Sequence, residues 1–215
     1  MWPSLCPHIH VCPNHVPHRG LPPPFQDGRF RSPAARYLPD ESVEAHFRFV
    51  QPEGWADQET RPAVVLLPGM GEFRYMRRFE GVALPLAEAG IASIILEGPY
   101  YGIRKPADQK RSKLKQVTDL LKLGRATIEE SRSLLMWLKE SAGATSISVA
   151  GCSMGGLHAA MTGALMPLPT GIVGHIAPPS AHHPFCHGVL YNGLDKRNLL
   201  TDLEIEEGNA ENEAP

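Results

Sequence analysis

An α/β fold with a parallel sheet flanked by helices is predicted from two features of the chain. Short, mainly apolar runs recur along it: Ala63–Leu67, Ile91–Leu96, Ser146–Ala150 and Ile172–Ala177. Stretches with helical periodicity separate them. Uninterrupted apolar runs suit strands buried on both faces, and their alternation with helices is the pattern of parallel crossover units.

Each element has its own signal. His46-Phe47-Arg48-Phe49-Val50 alternates polar and apolar, as a half-buried strand does, and Pro52-Glu53-Gly54 closes it. The four apolar runs end at Pro68-Gly69, Glu97-Gly98-Pro99, Gly151 and Pro178-Pro179. Phe79, Val82, Ala83, Leu86 and Ala87 fall at offsets of three and four and predict a helix from Arg77 to Ala89, stopped by Gly90. In 112–141, Leu114, Val117, Leu120, Leu121, Ile128, Leu135 and Leu138 form one stripe, and Gly124 is expected to divide or kink it. Residues 155–166 are small and apolar, as in a helix packed on a sheet. The predicted order is strand, strand, helix, strand, helix, strand, helix, strand.

The chain has 215 residues, a formal charge of −2 and 42% hydrophobic residues, enough for one core of ordinary size. That balance excludes a strongly basic nucleic-acid binder, and no run of 18 apolar residues predicts a transmembrane segment. Cysteines at 6, 12, 152 and 186 are too few and scattered for a disulfide scaffold. Residues 1–39 hold nine of the 21 prolines, and 201–215 carry six acids and no base. The expected division is a disordered Pro/His-rich head over 1–40, a domain over 41–195 and an acidic disordered tail over 196–215. No secretory signal is recognisable. The compartment is left open, an intracellular one, cytoplasmic or mitochondrial, being favoured over secretion.

The third run leads into Gly151-Cys152-Ser153-Met154-Gly155-Gly156, followed by small residues. This is G-x-S-x-G in the strand–turn–helix setting of a nucleophile elbow. Glycines two residues either side of the serine leave room where strand and helix backbones crowd. Ser153 is the candidate nucleophile, and the Met154 amide a candidate oxyanion donor. The competing reading is a glycine-rich turn with an inert serine. Pro68-Gly69-Met70-Gly71-Glu72 occupies the place of the second oxyanion loop, with Met70 the favoured donor and Gly71 the alternative. An ordinary turn after a strand is the other reading. Cys152 sits one residue off the turn and is not expected to act as a nucleophile.

Glu97-Gly98-Pro99-Tyr100-Tyr101-Gly102-Ile103-Arg104-Lys105-Pro106 resembles the E-N-P-Y-Y-G-x-R-K-P segment of the α/β-hydrolase domain-containing protein 18 family. Leu67 to Glu72 with Arg77-Arg78 is similar to that family's L-A-G-T-G-D-H and paired arginines, and Gly151 to Gly156 to its G-x-S-M-G-G. The chain departs from the pattern at Gly98, where the family has Asn, and in lacking His after Glu72. The resemblance spans about 63–190. It implies an α/β-hydrolase fold, a serine nucleophile at Ser153 and an acyl-ester substrate, with a lipid ester resting on the resemblance alone. Tyr100, Tyr101, Arg104 and Lys105 follow a strand end. They are read either as the pocket mouth, receiving an anionic head group, or as packing residues. Gly71, Tyr100, Tyr101 and Arg104 are the candidate substrate-binding set.

A serine needs an imidazole to take its proton and a carboxylate to orient that imidazole. The α/β-hydrolase order is Ser, then Asp or Glu, then His. Here the first acid after Ser153 is Asp195, and no histidine follows it. The triad is therefore expected to be incomplete in this chain, which reads as the amino-terminal part of a hydrolase with an apolar sheet edge after Ile172–Ala177. His158 is expected to point away from Ser153, while His182 and His183 fall on a plausible substrate-facing loop without an acid to orient them. Cys6-x-His8-x-His10-x-Cys12 with His15 and His18 offers zinc-type ligands, but its spacing matches no finger pattern. No metal or other cofactor is expected. The functional expectation is a serine hydrolase-like protein acting on small-molecule or lipid carboxylic esters, with doubtful activity as it stands. An acyltransferase on the same elbow is not separable from it by sequence. The alternative is a catalytically inactive hydrolase-like binding or scaffold protein. Protein partners are unassigned.

Overall fold

The central strands follow from the apolar runs, and the helices from the stripes that cover them. A computed structural model describes residues 8–11, 25–180 and 182–188. Among these, seven strands form one sheet: β1 (His10–Val11), β2 (Phe25–Arg31), β3 (Glu44–Val50), β4 (Pro62–Leu67), β5 (Ala92–Leu96), β6 (Ser146–Cys152) and β7 (Gly171–His175). Their order is β1-β2-β3-β5-β4-β6-β7. The pairs β4–β5, β4–β6 and β6–β7 are parallel, and β1–β2, β2–β3 and β3–β5 are antiparallel. The sheet is thus mixed and mostly parallel at its functional end.

Strand β4 shows why an unbroken apolar run is required. Ala63, Val65 and Leu67 join a core with Leu134, Leu135 and Leu138, whereas Val64 and Leu66 pack with Phe79, Ala83 and Ala87. Alternate residues serve opposite layers, so both sets must be apolar. One layer is α3 (Val117–Glu140) with α4 (Met154–Ala164). The other is α1 (Met76–Arg78), a π-helical turn over Phe79–Ala83, and α2 (Leu84–Glu88).

Helix α3 runs unbroken through Gly124, which corrects the expected division there. Gln116 and Asp119 form a reciprocal capping box at its start. A Cβ on Gly124 would lie 3.1 Å from Nε2 of His158 on α4. The glycine therefore serves a close approach of two helices rather than a break.

The expected head over 1–40 is also corrected. Residues 25–40 belong to the domain: β2 pairs along its whole length with β3, and Phe25, Phe30, Ala34, Ala35 and Leu38 are buried. The Asp27 carboxylate accepts hydrogen bonds from Nε and Nη2 of Arg48 at 2.7 and 2.9 Å, and that guanidinium lies 3.9 Å above the Phe25 ring. A Cβ on Gly28 would come within 2.3 Å of the Phe47 ring. Asp27 and Gly28, poor strand formers in isolation, are explained by these contacts across the sheet. Residues 1–7 and 12–24, and the acidic tail at 196–215, lie outside the described residues. At the far side the expected burial of the Ile172–Ala177 run is corrected: β7 is the edge strand among the described residues and is exposed along its whole length, with Ile172 and Val173 at the surface.

Candidate active site

Ser153 sits where β6 turns into α4, with φ 56° and ψ −120°. A non-glycine residue is rarely held there, at a cost on the order of 1–3 kcal/mol, so the surroundings must impose it. They do so from both sides. The Ser153 N–H donates to the His175 carbonyl of β7 at 2.9 Å, while its own carbonyl accepts the N–H groups of Gly156 and Leu157. A Cβ on Gly151 would lie 2.3 Å from the Gly155 backbone, and one on Gly155 would lie 2.7 Å from the Pro68 carbonyl oxygen. Both flanking glycines are therefore demanded by backbone contact. Cys152 is a free, exposed thiol on the strand side of the turn.

The loop after β4 is braced from beneath by residues that the spacing of motifs did not single out for this role. One Glu72 carboxylate oxygen accepts the Gly69 N–H at 3.0 Å, and the other accepts Nε of Arg78 at 2.8 Å. Nη1 of Arg78 in turn donates to the carbonyls of Leu66 and Leu96, at 2.7 and 2.8 Å. One buried guanidinium thus ties the ends of β4 and β5 to the Gly69–Glu72 turn. The only sequence signal was the paired arginines of the family resemblance. Gly71 holds φ 74°, a left-handed conformation natural to glycine.

Ser153, Met154 and Met70 meet at one cavity of about 620 Å³, walled mainly by apolar side chains including Leu120, Ile128 and Leu157. Gly71 is not among its lining residues. Met154 opens α4, so its N–H has no intrahelical acceptor. His158 also lines the cavity, although only 6% exposed, and its Nδ1 has no hydrogen-bond partner. Burial lowers its pKa from 6.5 to about 4, so the ring is neutral near pH 7. Pro178, Pro179 and Pro184 form part of the wall, whereas His182 and His183 do not. Those two rings instead stack edge-on with each other and with His187. No Asp or Glu follows Ser153 among the described residues.

The other three predicted contacts lie elsewhere. Arg104, placed in the substrate-binding set by sequence, is 0% exposed and is corrected to a packing role. Its Nη atoms bind both oxygens of Glu130 at 2.6 and 2.9 Å and donate to the carbonyls of Ser42 and Glu97. The Ser42 hydroxyl donates back to the Arg104 carbonyl and accepts the Tyr100 N–H. Tyr100 is buried and donates its hydroxyl to Asp119 on α3 at 3.2 Å; burial and that carboxylate push its pKa up. Tyr101 is buried as well, with a pKa raised to about 12 by desolvation. Neither tyrosine lines the Ser153 cavity. Among the described residues no cluster of three or more His, Cys, Asp or Glu is arranged to hold a metal, and no helix is long and apolar enough to cross a membrane. Of the N-terminal Cys/His group, Cys6, Cys12, His15 and His18 lie outside those residues.

A family model described as alpha/beta hydrolase domain containing 18 matches residues 18–213. The chain belongs to that family. The sheet order, the helices on both faces and the serine turn after β6 are its α/β-hydrolase fold. Similar solved structures include Est1E from Butyrivibrio proteoclasticus with ferulic acid bound, at 18% identity over 57% of this chain and 44% of that one, with a TM-score of 0.44. TT1662 from Thermus thermophilus is 19% identical over 62% and 52%, with a TM-score of 0.47. A dienelactone hydrolase from Anabaena variabilis is 20% identical over 64% and 59%, with a TM-score of 0.46. The chain spans roughly half the length of these structures.

Proposed function

We propose that the chain carries the nucleophile half of a serine hydrolase of carboxylic esters, with Ser153 as nucleophile. The observation that carries this reading is the forced backbone of Ser153 between Gly151 and Gly155, opening on an apolar cavity. Ser153 Oγ attacks the acyl carbon, and the amides of Met154 and Met70 hold the oxyanion that forms. An imidazole takes the hydroxyl proton and returns it to the departing alcohol, and water then releases the acid from the acyl-enzyme. The base and its orienting acid are assigned to no residue of this chain. The apolar walls favour an ester with a hydrocarbon acyl chain, lipid esters included.

The second reading is a non-catalytic binding protein that retains the cavity. It draws support from His158, the imidazole at the cavity, whose Nδ1 faces no carboxylate. A fluorophosphonate probe, with Ser153→Ala as the control, separates the two. Covalent labelling at Ser153 by mass spectrometry is the result expected of an activated serine. A folded chain that stays unlabelled while still binding a fatty acid in the cavity rejects turnover and leaves the binding reading.

A further inference from the structure

A second cavity, of about 470 Å³, lies where the segment after β4 meets the segment after β5. Its lining includes Phe73, Arg74, Ile103, Lys105, Arg111 and Ser112. It adjoins the Gly69–Glu72 turn, because a Cβ on Gly71 would lie 3.4 Å from the Ser112 side chain. Two of its features are unusual in a water-facing surface. Phe73 is 61% and Ile103 65% exposed, on different turns of the chain yet at the same cavity. Three cations surround them, and no carboxylate lines the cavity.

The charge is unneutralised. Residues 103–115 hold six bases and one acid. Arg104 is consumed by Glu130 and Lys115 by Asp108. Among the described residues no ion pair engages Arg74, Arg77, Lys105, Lys110, Arg111 or Lys113. The backbone adds a second, independent sign: Arg74 and Arg111 both hold left-handed φ values, 62° and 54°. Arg74 is fixed there by its N–H, which donates to the buried Glu97 carboxylate at 3.0 Å. Strain that presents a cation outward is consistent with a working surface rather than relaxed loop structure.

We infer that this patch docks on an anionic phospholipid surface. Phe73 and Ile103 enter the headgroup boundary, while Arg74, Lys105 and Arg111 meet lipid phosphates. Bulky apolar tips ringed by bases are the combination that interfacial binding uses, with apolar burial and charge attraction adding. The patch lies beside the end of β4 from which the loop to the Ser153 cavity also departs, so docking would bring that cavity near the lipid. The inference does not depend on Ser153 being reactive.

The test is vesicle co-sedimentation of the full chain with phosphatidylcholine alone and with about one-third phosphatidylserine. Binding to the anionic vesicles alone, weakening as salt rises, is expected. Neutralising each cation should weaken it about fivefold, and the triple variant Arg74→Gln/Lys105→Gln/Arg111→Gln about a hundredfold. Phe73→Ser/Ile103→Ser changes surface residues alone and should weaken it by about tenfold or more, with unchanged circular dichroism. Arg31→Gln on β2 should have no effect. No binding, equal binding to both vesicles, or binding indifferent to the Phe73/Ile103 pair would overturn the inference. So would full displacement by inorganic phosphate at constant ionic strength, which marks a small-anion pocket instead.

Discussion

Two loops leave the same end of the sheet and have opposite fates. The Gly69–Glu72 turn after β4 opens on the Ser153 cavity, whereas Tyr100, Tyr101 and Arg104 after β5 are buried in the protein and leave only the Gly102–Ile103 tip at the surface. Both begin with proline and glycine, and both carry residues of chemical promise. The difference lies in where their hydrogen bonds go. The first is held by a carboxylate and a guanidinium beneath it, which leaves Met70 at the cavity. The second spends its own side chains on the interior: Arg104 on Glu130, Tyr100 on Asp119, and the Arg104 and Tyr100 backbones on Ser42. A Cβ on Gly102 would overlap the Glu97 carboxylate, so the inner side of that turn is packed while Ile103 stays exposed. Charged and aromatic residues at a strand's carboxyl end therefore do not by themselves mark a ligand site.

The largest expected effect lies at the buried Arg104–Glu130 pair. Arg104→Ala leaves Glu130 buried and uncompensated, and should cost about 3–5 kcal/mol in chemical unfolding. The double change Arg104→Met/Glu130→Leu should recover most of it. A single variant within about 1 kcal/mol of the parent would mean that the loop opens to water and belongs with the first.

The cavity side is sharpened by pH. His158 titrates near 4 in the folded chain against 6.5 when unfolded, so the unfolded state binds more protons between those values. Stability is full above pH 6.5 and falls as pH drops toward 4, by about 3 kcal/mol in total. His158→Gln should flatten that window of the pH–stability curve. An unchanged slope would show that the imidazole is hydrated and the cavity wet. The smallest expected effect is at the Ser153 turn. Gly155→Ala pushes a methyl against the Pro68 carbonyl and should cost about 1–3 kcal/mol, displace the Gly69–Glu72 turn and slow probe labelling of Ser153. A variant that keeps parental stability would mean that the two backbones are not in contact.

The sheet's centre was legible in the sequence because burial on both faces narrows the choice of residue: Ala63–Leu67 is apolar throughout and Ile91–Leu96 at every position but Ser93, and β4 and β5 fall on them within a residue. Gly151 and Gly155 were legible for a similar reason, since a backbone contact at that turn admits nothing larger. What the sequence left open was set by partners far along the chain. The strand at Phe25–Arg31 was hidden because Asp27 and Gly28 gain their reasons from Arg48 and Phe47 on the neighbouring strand. Gly124 looked like a helix break and proved to be a contact with His158. Arg104 looked like a substrate ligand until Glu130, 26 residues away, claimed it. Local pattern marks which segments are fit for burial, because the hydrophobic effect acts on composition, although the β7 run shows that a covering neighbour is also needed. The tertiary structure alone decides which charges meet, because a guanidinium's role depends on the carboxylate that reaches it.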